Sequence, residues 1–252
     1  MTTGYEFQGI THGSASMLNQ SIDSIATFVA QRLFGYRFPF GAAPKRGLAV
    51  EAGVVAVLAR GAKLSVATDH AVRQFDDETR LNTHEPVEKR DAEREHIAPM
   101  IELALEALAD YGEAVVPAAG QEQVTLVCKT DEWSLPIIGY LDMRFPAVDK
   151  IVDLKTTLRM PSEMSAAHQR QRAIYAKATG DAVEFLYVTP KKTAFKADGD
   201  VDAIMAEIKT HFIRLEALLR LDPEMIRQII PVQPESFYWK GAEHIRKELF
   251  DL

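Results

Sequence analysis

Two acids and a lysine carry the most legible chemistry in this chain. Asp142 ends the run Gly139-Tyr-Leu-Asp142, and Asp153 and Lys155 lie in Ile151-Val-Asp-Leu-Lys-Thr-Thr157. Side chains alternate along a strand, so Ile151, Asp153 and Lys155 share one face while Val152 and Leu154 take the other. The β-branched residues and the turn-like Pro146-Ala-Val-Asp149 favour a strand entered through a hairpin, with 137–145 as its first arm. That hairpin brings Asp142 close to Asp153. Two carboxylates at such range repel and shift each other's pKa unless a cation lies between them. Mg²⁺ or Mn²⁺ suits the position, because hard ions take oxygen ligands and two carboxylates leave room for waters and phosphate. Such an ion acidifies water and offsets charge on a phosphate in the transition state. Lys155, a compact cation, could hold that water or stabilise the developing charge. The chemistry is divalent-metal cleavage of a phosphodiester.

A lone Asp-x-Lys triplet is most often a solvated ion pair. Here Gln171 and Tyr175 follow, four residues apart and so on one helix face. The series Gly139…Asp142, Asp153-Leu-Lys155-Thr-Thr and Gln171-Arg-Ala-Ile-Tyr175 resembles the RecB-type nucleases of the PD-(D/E)xK superfamily over roughly residues 14 to 190. That group includes phage exonucleases and the CRISPR-associated and helicase-fused nuclease domains. Arg46-Gly47-Leu-Ala-Val-Glu51 is similar to the family's first motif, with Glu51 as in the phage-lambda-exonuclease-like branch; Ser14-Ala-Ser16 resembles the Ser-x-Ser opening of many members.

The resemblance implies a restriction-endonuclease-like α/β core, a central mixed sheet flanked by helices with a helical N-terminal wall. It implies that Asp142, Asp153, the Leu154 carbonyl and Glu51 hold the metal and that Lys155 is catalytic. Gln171, Tyr175, Arg46, Arg172, Ser14 and Ser16 would support the site or contact DNA. The implied activity is a Mg²⁺- or Mn²⁺-dependent deoxyribonuclease, an exonuclease of recombination or repair, phage-encoded in one version and then working in the host cytoplasm. A strand-annealing protein or helicase is the partner that family members use, and ring-forming relatives make an oligomer conceivable.

Several residues keep a second reading. Glu51 lies in an apolar helix, Leu48–Leu58, where an acid needs a partner, either a metal or a neighbouring Arg or Lys. Tyr175 could be a half-buried core residue with a wet hydroxyl. Ser16 fits a helix N-cap before Met17. Arg46 could bind phosphate or a structural carboxylate. Two other classes of function also stay open: a non-catalytic DNA-binding or assembly protein on a nuclease fold, and a metal-dependent hydrolase of small phosphoesters or nucleotides.

The 252 residues, 47% hydrophobic, suffice for one sizeable α/β domain over 1–252. The one cysteine, Cys128, rules out an internal disulfide and a four-cysteine iron–sulfur cluster. No signal-peptide pattern and no membrane-length apolar run occur, so the expectation is a cytoplasmic protein without a membrane. A net charge of −7 sits awkwardly with DNA. Its distribution softens that objection: acids gather at Asp76–Glu78 and between Glu85 and Glu106, bases at Arg159, Arg170, Arg172, Lys177, Lys191, Lys192 and Lys196.

The elements that must position these residues follow from periodicity. Helices are expected over 14–35, 47–60, 68–82 and, with a kink or a split into two helices at Pro99, 87–111, together forming the wall. A three-stranded meander is expected over 122–130, 133–145 and 149–157. A motif helix should run from Pro161 to Gly180, followed by strands at 183–188 and 193–197, all within a catalytic part spanning about 122–198. Helices at 200–221 and 241–249 close the chain, within about 200–252.

Overall fold

The computed structural model describes residues 2–82, 84–116 and 135–252, with the backbone alone of 122–126. Cys128 and part of the expected meander lie outside the described residues. Strand β4 (Lys150–Thr156) organises the rest. It pairs antiparallel with β3 (Met143–Phe145) and parallel with β5 (Ala182–Val188), and β5 pairs antiparallel with the edge strand β6 (Thr193–Lys196). The protein is therefore α/β, with a mixed four-stranded sheet flanked by helices.

The meander is corrected in one respect. The arm expected over 133–145 is two strands, β2 (Ile137–Leu141) and β3, separated by a bend at Asp142. β2 pairs with β1 (Glu122–Leu126) in a ladder of its own. Alternation could not show this, because the bend inserts no Gly or Pro and leaves the hydrophobic pattern continuous.

The two faces of β4 feed two separate cores. Ile151 joins Val183, Phe185 and Tyr187 beneath α2 (Ala15–Asp23), α3 (Ile25–Arg32), α8 (Ala166–Thr179) and α9 (Val201–Leu219). Val152 and Leu154 join Leu186 and Val188 beneath α4 (Ala42–Leu58), α5 (Leu64–Thr79) and α7 (Ile97–Leu108). A strand apolar on both sides is what a sheet covered by helices on both faces requires.

Helix ends differ from expectation where a cap overrides periodicity. The helix expected over 14–35 splits at buried Ser24, whose ψ of 81° leaves the helical region. The 87–111 stretch divides into α6 (Val87–Glu95) and α7 at His96, before Pro99, which then occupies the first turn of α7, where a missing N–H costs little. The motif helix begins at Ala166, where Ser165 Oγ accepts from His168 N at 3.2 Å, and not at Pro161. Its end at left-handed Gly180 agrees with expectation (φ 79°). α4 starts five residues before Gly47, because Glu85 Oε2, from across the fold, accepts from Ala42 N at 2.6 Å and caps it. The short helices α1 (Gly4–Phe7) and α10 (Pro223–Ile229) were not anticipated; α11 (Glu243–Phe250) was. Among the described residues no helix is long and apolar enough to cross a membrane.

Candidate active site

The bend at Asp142 builds the site. The β3–β4 register pairs Met143 with Val152, so one further step sets Asp142 opposite Asp153. There the ladder stops being backbone to backbone: Leu154 N donates to Asp142 Oδ2 at 2.8 Å. A side-chain carboxylate thus satisfies an amide that a straight strand would have paired with a carbonyl. Leu154 itself sends its side chain into the α4 core.

Asp153 is 1% exposed. Its Oδ2 meets Lys155 Nζ at 2.5 Å as an ion pair, and its Oδ1 accepts from Gln171 Nε2 at 2.9 Å. Gln171 Nε2 also reaches the Tyr175 hydroxyl at 3.0 Å. One turn of α8 therefore holds the carboxylate from above. Gly139 explains itself here, since a β-carbon on it would fall 2.4 Å from Tyr175 Cε1. The glycine on β2 lets the tyrosine ring lie against the strand, and the ring sets Gln171.

The electrostatics are unbalanced. Burial, then the charges of Asp153 and Glu51, push the Asp142 carboxyl well above the ordinary range, with Lys155 and the Leu154 amide pulling the other way. Burial also raises Asp153, against the pull of Lys155. Lys155 is drawn down by burial, but Asp153 and Asp142 outweigh that and leave it firmly protonated. Burial and the Asp153 charge raise Tyr175, keeping its phenol neutral. Two buried acids share one lysine.

Glu51 reaches this group from α4. Gly47, one turn earlier on the same face, would place a β-carbon 3.2 Å from Thr156 Oγ1, so the helix crosses β4 closely. Arg46 is only 3% exposed; its Nη1 pairs with Glu93 and its Nη2 donates to Thr156 Oγ1 at 3.2 Å. Of its two readings, the structure displays the structural carboxylate. Arg172 Nη2 donates to the carbonyls of Ala197 and Gly199 at 2.8 and 3.1 Å, tying the β6–α9 connection. Ser14, not Ser16, is the N-cap of α2: its Oγ accepts from Met17 N at 3.1 Å, and exposed Ser16 lies 2.9 Å from it, oxygen to oxygen. Asp142, Asp153, Lys155, Gln171 and Tyr175 converge; Arg172, Ser14 and Ser16 make their contacts elsewhere.

Two residues beyond the expected set join the site. Burial and the charge of Lys155 push His168 down to about 4, so it is neutral in ordinary buffers. His168 Nδ1 and Tyr187 Oη share a hydrogen bond of 2.6 Å, and burial pushes that phenol up to about 12. Both line a cavity of about 360 Å³ with Lys155, Thr156, Thr157 and Ser165. His168 stands three residues before Gln171, and Tyr187 is in register with Lys155 across the parallel ladder. The helical spacing was visible in the sequence; the strand pairing was not.

The donor set suits a hard cation. Asp142 and Asp153 are oxygen donors whose carboxyls burial raises, and the charges of Asp153 and Glu51 add to the push on Asp142. Among the described residues no cluster of three or more His, Cys, Asp or Glu forms a ready-made metal cage. Mg²⁺ does not require one, because waters and substrate phosphate usually complete its shell around one or two carboxylates.

No family model and no curated protein matches the chain. Among solved structures, "Crystal structure of SSO0001" is similar with a TM-score of 0.35 and 16% identity, over 52% of this chain and 70% of that one. A likeness of that size carries no argument. The chain is an α/β protein whose mixed sheet holds two opposed buried carboxylates beside a lysine.

Proposed function

We propose that this chain is a Mg²⁺- or Mn²⁺-dependent nuclease that hydrolyses DNA phosphodiesters on a restriction-endonuclease-like core. The observation that carries the reading is the convergence of two buried carboxylates: Asp142 and Asp153 lie opposite each other, with Lys155 paired to Asp153 and lining a cavity of about 360 Å³. Burying an excess negative charge is costly unless a ligand of opposite sign offsets it. Asp142 and Asp153 would hold the ion, assisted by Glu51 and the Leu154 carbonyl, and the ion would supply Lewis acidity and a more acidic water. The chain's own residues do the rest. Gln171 fixes the orientation of Asp153, and Tyr175 fixes Gln171. Lys155, protonated and at the cavity wall, stabilises negative charge gathering on a phosphate oxygen.

The narrower reading, an exonuclease of recombination or repair working with a strand-annealing protein or helicase, rests on the resemblance of the Gln171…Tyr175 pair to RecB-type nucleases and of Glu51 to their lambda-exonuclease-like branch. End-labelled linear DNA and covalently closed circular DNA, each incubated with Mg²⁺, Mn²⁺ or chelator, test both levels. Metal-dependent digestion of the linear form alone supports the exonuclease. Cleavage of the closed circle removes that narrower reading. Absence of any metal-dependent cleavage of plasmid, duplex, single strand or a chromogenic diester removes the nuclease.

A further inference from the structure

The catalytic strand and its parallel neighbour end in two turns of the same construction. After β4, Thr157 Oγ1 donates to the Arg159 carbonyl at 3.0 Å. After β5, Thr189 Oγ1 donates to the Lys192 carbonyl at 2.8 Å, and the Lys192 amide donates back to that hydroxyl at 3.0 Å. Thr157 N donates to the Val188 carbonyl at 2.9 Å, joining the two turns into one rim. The rim walls a cavity of about 480 Å³, lined by Leu158, Arg159, Met160, Lys191, Lys192 and His96. Segment 155–161 lines this cavity and the Lys155 cavity in turn, so the two adjoin. Ligand sites in open α/β sheets lie at the carboxyl ends of the strands, where this rim stands.

The exposed cations of this acidic protein include paired and unpaired ones. On the helical wall, Lys45, Lys89 and Arg94 are paired with Glu78, Glu85 and Asp76, and buried Arg46 with Glu93. Arg159, Lys191 and Lys192 are exposed and have no ion-pair partner among the described residues. Of the described side chains lining the two cavities, Glu163 is the one carboxylate. Three exposed positive charges thus stand on two hydrogen-bonded turns, at the wall of a cavity that adjoins the one lined by Lys155.

We propose that Arg159, Lys191 and Lys192 bind the phosphodiester backbone of a nucleic-acid strand on one side of the linkage at Lys155. The inference rests on the nuclease reading for its direction, but its test does not need cleavage. A fluorescent single-stranded DNA oligonucleotide is titrated with the full chain in chelator, over a series of salt concentrations. Each neutralised phosphate contributes about 0.7 to the slope of log affinity against log salt for single strands. K191Q/K192Q should lower that slope by about 1.4 and lower affinity roughly tenfold or more at low salt. R159Q should lower the slope by about 0.7. K63Q/K247Q, which removes equal charge from other elements, is the control. An unchanged slope in K191Q/K192Q, an equal drop in the control, or no binding by the unmodified chain overturns the proposal. A chain that binds in this rim-dependent way yet never cleaves with metal would sink the nuclease reading and leave the rim proposal standing.

Discussion

One strand carries two buried ionic groups on its opposite faces, one residue apart. On the α4 face, Thr156 accepts from Arg46, which is paired with Glu93; on the α8 face, Lys155 is paired with Asp153, with Asp142 opposite. Arg46, Glu93, Asp142 and Asp153 are buried and the Lys155 side chain is 25% exposed, and in both groups the cation is bonded to an anion. They differ in arithmetic. Arg46 and Glu93 balance one to one, whereas Asp142 and Asp153 share one lysine and feel Glu51 as well. Burial with an ion pair is thus compatible with pure architecture. Two facing acids with raised pKa values, beside a cavity, are more typical of a functional site than of an architectural pair.

The largest effect should separate the two groups by activity. Asp153→Asn or Lys155→Ala should lower metal-dependent DNA cleavage 10⁴-fold or more, about 5 kcal/mol of barrier, with an unchanged circular dichroism spectrum. The paired replacement Arg46→Met with Glu93→Leu should leave cleavage within about tenfold. Cleavage surviving in Asp153→Asn, or vanishing in the folded Arg46/Glu93 double variant, would erase the distinction.

Stability should rank the groups in reverse. Arg46→Ala strands the Glu93 carboxylate in the interior, which costs about 3–5 kcal/mol, whereas replacing both partners with apolar residues of similar volume comes near neutral. Urea denaturation of the single and double variants checks this. A single variant as stable as the double would mean that water reaches Glu93 and that the pair is not truly buried.

The difference between the groups also bounds what sequence could disclose. The convergence of Asp142, Asp153, Lys155, Gln171 and Tyr175 was legible because it depends on local spacing, two along a strand and four along a helix, and on one tight hairpin. Individual helices and strands followed from periodicity, and their assembly into a mixed sheet flanked by helices from the family resemblance as well. Glu93 as the partner of Arg46, Glu85 as the cap of α4 and Tyr187 as the partner of His168 were illegible, since each is fixed by packing between distant segments. The bend at Asp142 was hidden for another reason: a carboxylate substituting for a carbonyl leaves the hydrophobic pattern intact.

A smaller effect sharpens the charge argument without any substrate. The folded-state pKa of Asp142 is raised above its unfolded value, so folding favours its protonated form. Its contribution to stability is present at low pH and is lost as pH rises from the ordinary carboxylate value through the raised one. In chelator, Asp142→Asn should therefore stabilise the chain by about 1–3 kcal/mol at pH 8 and by little near pH 4, while the Asn carbonyl still accepts from Leu154 N. Thermal melts at both pH values decide. Added Mg²⁺ should raise the melting temperature of the unmodified chain more than that of the variant, because a ligand binding only the folded state stabilises it. A variant that melts lower in chelator at pH 8 would mean that the surroundings already balance the carboxylate.

The smallest effect concerns the neutral member of the unbalanced side. Burial and the charge of Lys155 hold His168 down to about 4. Its folded pKa lies below its unfolded value, so its contribution to stability is complete above about 6.5 and declines as pH falls towards 4. His168→Asn keeps a group able to bond the Tyr187 hydroxyl but removes the titration. The variant should match the unmodified chain within about 1 kcal/mol at pH 7.5 and gain about 1–2 kcal/mol on it at pH 4.5, after allowance for partial exposure. Urea titrations at the two pH values supply the comparison. An equal gap at both would mean that His168 stays neutral in the unfolded chain too or is charged in the folded one. In the second case the field at the cavity wall would be set by the carboxylates and not by Lys155, and the lysine could not be the group that a phosphate meets first.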